Sequence, residues 1–185
     1  YNVAVGMSAL GANTTATHNT AVGHNSGLAT TTGAQNVFVG SNCGDANTTG
    51  SANTGVGQES LGAITTPTNN VGMGYFALNA TTTGANNTGI GRSAGVKITT
   101  GAQNVCLGTY AGQTLTTGTY NVYIGYNNNP SAVDVANEIV IANGNATGKG
   151  TATGYITAGA GPMYNGQNST VWVATSDRRI KKDIK

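Results

Sequence analysis

Apolar and polar positions along the chain recur in one phrase: Asn, two residues, an aliphatic, then Gly. After Asn2 and Gly6 the pair returns as Asn19 and Gly23, Asn36 and Gly40, Asn53 and Gly57, Asn70 and Gly74, Asn87 and Gly91, Asn104 and Gly108, and Asn121 and Gly125, always 17 residues on. The aliphatic before each Gly is Val5, Val22, Val39, Val56, Met73, Ile90, Leu107 or Ile124. Three residues after the Gly comes a small residue (Ala9, Ser26, Cys43, Ser60, Ala77, Ala94, Ala111), and mostly Leu or Gly follows it. Thr-Thr-Gly at 31–33, 48–50, 82–84, 99–101 and 116–118 reads as a turn. A fixed period of this size predicts stacked copies, each burying a face it cannot bury alone.

The density of Gly, Thr and Asn excludes helix, whereas Asn-x-x-aliphatic followed by Gly suits a short strand and its punctuation. Seventeen residues extended span about 56 Å at about 3.3 Å each, room for two or three short strands and corners. The fold class predicted is all-β: a trimeric repeat β-solenoid or β-roll, or an interwoven β-helical shaft. Stacking would line the Asn side chains into an amide ladder; a local turn with a side-chain-to-backbone bond is the other reading. The Gly column fits either a left-handed backbone or an approach too close for a Cβ.

Burial decides the expected number of chains. Each coil offers two or three aliphatic side chains, each stabilising by roughly 1.5–3 kcal/mol, against on the order of 1–2 kcal/mol per backbone residue ordered. The shortfall predicts parallel copies around an axis, a homotrimer with the small column packed inside.

The array is expected over residues 1–142, with an altered last copy: Asn137-Glu138-Ile139-Val140-Ile141 starts 16 residues after Asn121 and has Ile where Gly is expected. Residues 143–176 read as a cap or collar of short strands and turns, ending in a strand at Val171-Trp172-Val173 anchored by Trp172.

Composition narrows the function. Charged residues are 8% of the 185, against roughly 25% in typical domains, and the net charge is only +2, so strict register and low charge argue against disorder. Up to residue 142 the charges are Arg92 and Lys97 against Asp45, Glu59, Asp134 and Glu138. No basic stripe with interleaved aromatics exists there, so no nucleic-acid partner is expected. Cys43 and Cys106 stand in different columns, so two small buried thiols are expected rather than a disulfide. No run of 18 apolar residues predicts membrane insertion. Tyr1 falls inside a repeat with no visible signal peptide, which suggests a fragment of a longer chain. His18 and His24 recur nowhere else in the array, and neither a metal nor a cofactor is expected.

The basic residues gather at the end, in Ser176-Asp177-Arg178-Arg179-Ile180-Lys181-Lys182-Asp183-Ile184-Lys185. Ser176 would cap a helix, Asp177 favours its first turn, and Ile180 and Ile184 would share a face. Ser176-Asp177-x-Arg179-x-Lys181-x-Asp183-Ile184 also closely resembles the start of the endosialidase-type intramolecular chaperone, the self-cleaving C-terminal domain of phage tail spikes and fibres. The Asn-Thr-Ala-Val-Gly phrases are similar to repeats that often precede that domain, and more distantly to head repeats of trimeric autotransporter adhesins. The resemblance implies that residues 177–185 begin such a chaperone and that the Ser176–Asp177 bond is cut after the trimer folds. Ser176 would be the nucleophile, Lys181 its base, and Arg179 and Asp177 positioning groups; a Lys activates a Ser hydroxyl when burial lowers its pKa. Only nine chaperone residues are present, so cleavage is expected where the full chaperone is.

The function expected is a structural component of a trimeric phage fibre, a shaft or tip in the extracellular virion tail fibre. Its partners would be further copies of itself and a host cell-surface glycan or protein. No enzyme is expected beyond a single self-cleavage, because a polysaccharide-degrading spike needs paired acids and Asp45, Glu59, Asp134 and Glu138 fall in different columns. The alternative is a surface- or glycan-binding adhesin-like module, or an ice-binding one with Thr-Thr-Gly columns as its hydroxyl array.

Overall fold

The computed structural model describes residues 1–157, 163–165 and 173–174. Each repeat contributes one short strand: β1 (Val3–Val5), β2 (Thr20–Val22), β3 (Val37–Val39), β4 (Thr54–Val56), β5 (Val71–Met73), β6 (Thr88–Ile90), β7 (Val105–Leu107), β8 (Val122–Ile124) and β9 (Ile139–Ala142). β10 (Gly154–Thr157) continues the parallel stack, and β11 (Met163–Asn165) and β12 (Val173–Ala174) add antiparallel strands to its end. The register is one coil per step, as in Val37↔Thr54, Phe38↔Gly55 and Val39↔Val56. The chain is therefore an all-β solenoid whose coils wind within one chain, and the interwoven shaft is not the arrangement formed.

One strand per coil is fewer than the extended length allowed. The reason lies in the corners: within one coil Asn42, Gly44 and Ala52 have φ of 52°, 58° and 56°, and equivalents recur up the stack. Residues in this left-handed region turn the chain too sharply for a second strand. The corners are nonetheless hydrogen-bonded from coil to coil, for example Thr48 N to Thr65 O at 2.8 Å and Ala63 N to Asn79 O at 2.9 Å. Backbone pairing thus extends well beyond the strands and supplies stability that side-chain burial does not.

The narrow interior is filled by one or two large side chains per coil, placed where neighbouring coils have Gly. Leu78 fills the space over Gly89 and Gly95, where an added Cβ would lie 2.7 Å from its Cγ and from its Cδ2 respectively. Leu61 does the same beside Gly72. Ile64 shares the coil of Leu61; Phe38, Ile98, Leu115 and Tyr123 take the large role in other coils, and all are buried. A fixed cross-section leaves room for one large residue only where its neighbours are small.

The small column is where the fold departs from expectation. Ser26, Cys43, Ser60, Ala77, Ala94 and Ala111 are buried inside their own chain, so they cannot line an axis between copies. From β2 to β8 the buried middle residue of each strand (Ala21, Phe38, Gly55 and so on) also points inward. With a strand period of two, the aliphatic before the Gly must then face outward.

The Asn column takes the ladder reading, whereas the Gly column satisfies both of its readings. Asn53 donates from Nδ2 to Asn36 Oδ1 at 3.2 Å and to Pro67 O at 2.9 Å. Its Oδ1 accepts from Asn70 N at 3.0 Å. The ladder exists, and its side-chain-to-backbone bonds run between parts of the coil stack rather than within a local turn. The residue before the Asn makes the turn, as Ala52 does. At Gly74 the backbone has φ +133° and an added Cβ would lie 2.6 Å from Gly91 O.

The ninth copy is not slipped. Ile139 pairs with Val122, Val140 with Tyr123 and Ile141 with Ile124, so Glu138 rather than Asn137 holds the Asn column. Glu138 N donates to Asn121 Oδ1 at 2.8 Å, continuing the ladder through the backbone. A carboxylate cannot donate onward as an amide does. Its oxygens instead accept from Tyr123 OH and Ser131 N, both at 3.1 Å, and from Gly150 N at 2.7 Å.

Candidate functional site

The outward strand face is the most extensive unpaired feature of the rod. From β1 to β9 it carries two columns, the first and third strand residues, and 15 of these 18 positions are Val, Ile, Leu or Met. The exceptions are Thr20, Thr54 and Thr88, and none is charged. Val56, Met73 and Ile90 are exposed, Ile90 by 41%. At about 4.8 Å per coil the stripe runs about 38 Å, and its two columns stand about 7 Å apart. An apolar band of this kind is a candidate interaction surface.

A second feature lies at the corner that follows each strand. Tyr75, Arg92, Tyr110 and Tyr126 come from the turns after β5, β6, β7 and β8. The Arg92 guanidinium sits 5.9 Å from the Tyr75 ring centre and 5.3 Å from that of Tyr110. Tyr110 meets Tyr126 edge to face at 6.3 Å, and Tyr75 packs on Phe76 at 4.5 Å. Tyr75 and Tyr126 remain about half exposed, at 45% and 50%. The aromatic corner escaped sequence reading because it is not a strict column: Tyr110 stands one place later in its coil than Tyr75, Arg92 and Tyr126. Aligning the copies and reading the two positions after each Gly together is what exposes it.

The Thr side is more committed than its sequence suggested. Thr31, Thr48, Thr65, Thr82, Thr99 and Thr116 donate their hydroxyls to carbonyls of the next coil at 3.0–3.3 Å. That leaves the neighbouring column, including Thr32, Thr49, Thr66, Thr83, Thr100 and Thr117, exposed. A two-column hydroxyl array is thereby reduced to one.

The acidic residues are less scattered than their columns implied. Asp45 and Glu59 lie on adjacent coils, and the Asp45 carboxyl is held above its ordinary pKa by burial first and by the charge of Glu59 second. Glu59 is occupied by Asn42 Nδ2 at 3.0 Å and Asn79 Nδ2 at 3.5 Å. Asp134 is exposed, and Glu138 serves the ladder.

Cys43 and Cys106 are free and buried, as the columns predicted. Burial pushes both thiols up to about 12, and it also raises the Tyr123 phenol, helped by the Glu138 charge. His18 bonds Thr17 Oγ1 at 3.0 Å and stacks on Tyr1, while His24 is exposed at a different corner. Among the described residues no group of three His, Cys, Asp or Glu could hold a metal, and no helix is long and apolar enough to cross a membrane. Ser176, Asp177, Arg179 and Lys181, the residues of the implied self-cleavage, and Trp172 lie outside the described residues.

Comparison of the chain with protein-family models, curated proteins and solved structures finds no match.

Proposed function

We propose that the chain is a structural segment of a trimeric phage fibre, a shaft or tip that holds a host-recognition surface at a distance. The observation that carries this reading is the outward apolar stripe, uncharged along the entire array. A solitary rod would leave it in water. Completing the burial of a half-exposed Val or Ile is worth about 1 kcal/mol; seven of the 15 are 36–57% exposed and the other eight less so, which together represents on the order of 10 kcal/mol per chain at most. That is comparable to the association cost of roughly 4–15 kcal/mol. Closure about a three-fold axis turns each stripe toward two neighbours and leaves no stripe open. The aliphatic columns would face the axis, in place of the small column that the sequence suggested.

Light scattering coupled to size exclusion tests the proposal. The expected mass is three times the 18.4 kDa of the chain, and Val56→Asp with Ile90→Asp should reduce it to one chain by placing charges where the copies meet. A wild-type mass of 18.4 kDa would sink the trimer. Maturation by cleavage after Ser176 rests on the chaperone resemblance of the tail. Its test, in a chain carrying the full chaperone, is release of the segment from Asp177 onward in wild type but not in Ser176→Ala, read by intact mass.

A further inference from the structure

The Arg92 guanidinium has five N–H donors, yet among the described residues its side chain makes no hydrogen bond or ion pair and meets only the ring faces of Tyr75 and Tyr110 in cation–π contacts. A guanidinium fork held in place and left unmatched is suited to a carboxylate in a bidentate pair. Beside it, Tyr75 and Tyr126 expose amphipathic surface, an apolar ring ending in a hydroxyl, at little entropy cost for ordering. We propose that this corner, Tyr75, Arg92, Tyr110 and Tyr126, binds an acidic oligosaccharide lying along the rod.

The shape favours a thin linear ligand. Three coil steps separate the turns of Tyr75 and Tyr126, about 14 Å at about 4.8 Å each, along a convex edge. A stable protein partner would need about 800 Å² on each side, more than four side chains on an edge provide. A carbohydrate chain presents what this row can meet: C–H faces for the rings, hydroxyls for the phenols and a carboxylate for Arg92. Glu59 is engaged by Asn42 and Asn79 and not by Arg92, and among the described residues Arg92, the one cation of the row, forms no ion pair. The inference gives chemistry to the recognition role proposed above and does not depend on the trimer. In a trimer three equivalent rows would act together and raise avidity.

The test uses the full chain and four probes: sialyllactose and tetragalacturonate, which carry carboxylates, and lactose and maltotetraose, which do not. Titration calorimetry should show at least one carboxylated probe binding at least about tenfold more tightly than either neutral one, the discrimination a charge-assisted pair supplies. Arg92→Ala should cost about tenfold, Arg92→Lys less, and Tyr126→Ala a comparable amount, with unfolding midpoint and mass unchanged. Failure of both carboxylated probes to bind, or equal binding by Arg92→Ala, overturns the proposal. A fall in mass for Arg92→Ala or Tyr126→Ala also overturns it, by assigning the corner to contacts between copies. The wild-type mass reports on the trimer separately.

Discussion

Replacing Asn53 by Ala tests whether the amide ladder supports the stack. Asn53 is fully buried and engages three neighbours: Oδ1 accepts from Asn70 N, and Nδ2 donates to Asn36 Oδ1 and Pro67 O. Asn36 Oδ1 keeps the Asn53 backbone N–H at 3.0 Å, and Asn70 Nδ2 keeps Gly84 O at 3.0 Å. Two groups lose their partner, the Asn70 N–H and the Pro67 carbonyl. An orphaned buried group costs about 1–3 kcal/mol, so Asn53→Ala should cost about 2–6 kcal/mol. Asn2→Ala, in the exposed first coil, should cost about 1 kcal/mol or less because water can replace the two bonds lost, from Asn2 Nδ2 to Ala16 O and from Asn19 N to Asn2 Oδ1. Asn53→Asp separates donor from acceptor: the carboxylate still accepts from Asn70 but faces Pro67 O with no hydrogen to give. Its pKa should therefore be raised in the folded state, and the variant should lose stability as pH rises through that value. Urea unfolding followed by circular dichroism at fixed protein concentration measures all three. Equal losses for Asn53→Ala and Asn2→Ala, or a loss under about 1 kcal/mol for Asn53→Ala, would refute a ladder that bears the stack.

Other substitutions separate causes that the sequence left together. Gly74→Ala meets Gly91 O at 2.6 Å and a φ of +133°, whereas Gly150→Ala meets a φ of +119° with nothing within 4 Å. The first should cost at least about 3 kcal/mol and the second about 1–2 kcal/mol; equal costs in thermal melts would assign the column to backbone conformation alone. Cys43 and Cys106 should resist iodoacetamide in the folded protein at neutral pH and react fully in guanidinium, since buried thiols with pKa pushed up to about 12 hold almost no thiolate; mass spectrometry showing rapid native labelling would contradict their burial. Asp45→Asn should raise the melting temperature at about pH 7 and lose that advantage near about pH 3. The Asp45 carboxyl is raised on folding, so its contribution falls as pH rises from the unfolded toward the folded value, and an amide escapes that loss. A gain that persists at low pH would locate the effect elsewhere.

Period and class were legible because stacking imposes the same demands on every coil. The Asn at 36, 53 and 70 must donate and accept at one level after another, and the Gly at 57, 74 and 91 must each pass under the next carbonyl, so neither column tolerates drift. The facing of the aliphatic column was not legible. A run such as Thr88-Gly89-Ile90 has its largest side chain outside and nothing but hydrogen at its centre, because Leu78 from the coil below already fills that space. Apolar character alone counts Ile90 among the side chains a coil can bury; only the inter-coil contact places it outside. The ninth copy misled for a similar reason. Asn137 imitates the ladder residue, but it occupies the left-handed corner with φ 56°, a conformation that Asn also favours, while Glu138 holds the rung.

This reversal separates the two problems that the rod must solve. Cohesion within a chain depends on the amide ladder, the coil-to-coil backbone bonds and the alternation of large residues with Gly, none of which uses the outer aliphatics. Those aliphatics are thus free to serve association, and their cost to a solitary chain is evident: exposed Val and Ile on parallel strands with no charge to oppose pairing. The Thr residues at 20, 54 and 88 give the outer column an alternation of Val and Thr up to Val105. Copies related by a three-fold axis meet residue for residue at one height, so hydroxyl layers would face hydroxyl layers and methyl layers methyl layers. A slip by one coil would set Thr20 against Val37 of a neighbour. In the proposed trimer the alternation would therefore oppose axial slippage, which a uniform Val column would permit, and would link the strict 17-residue period to a register between chains as well as the one within them.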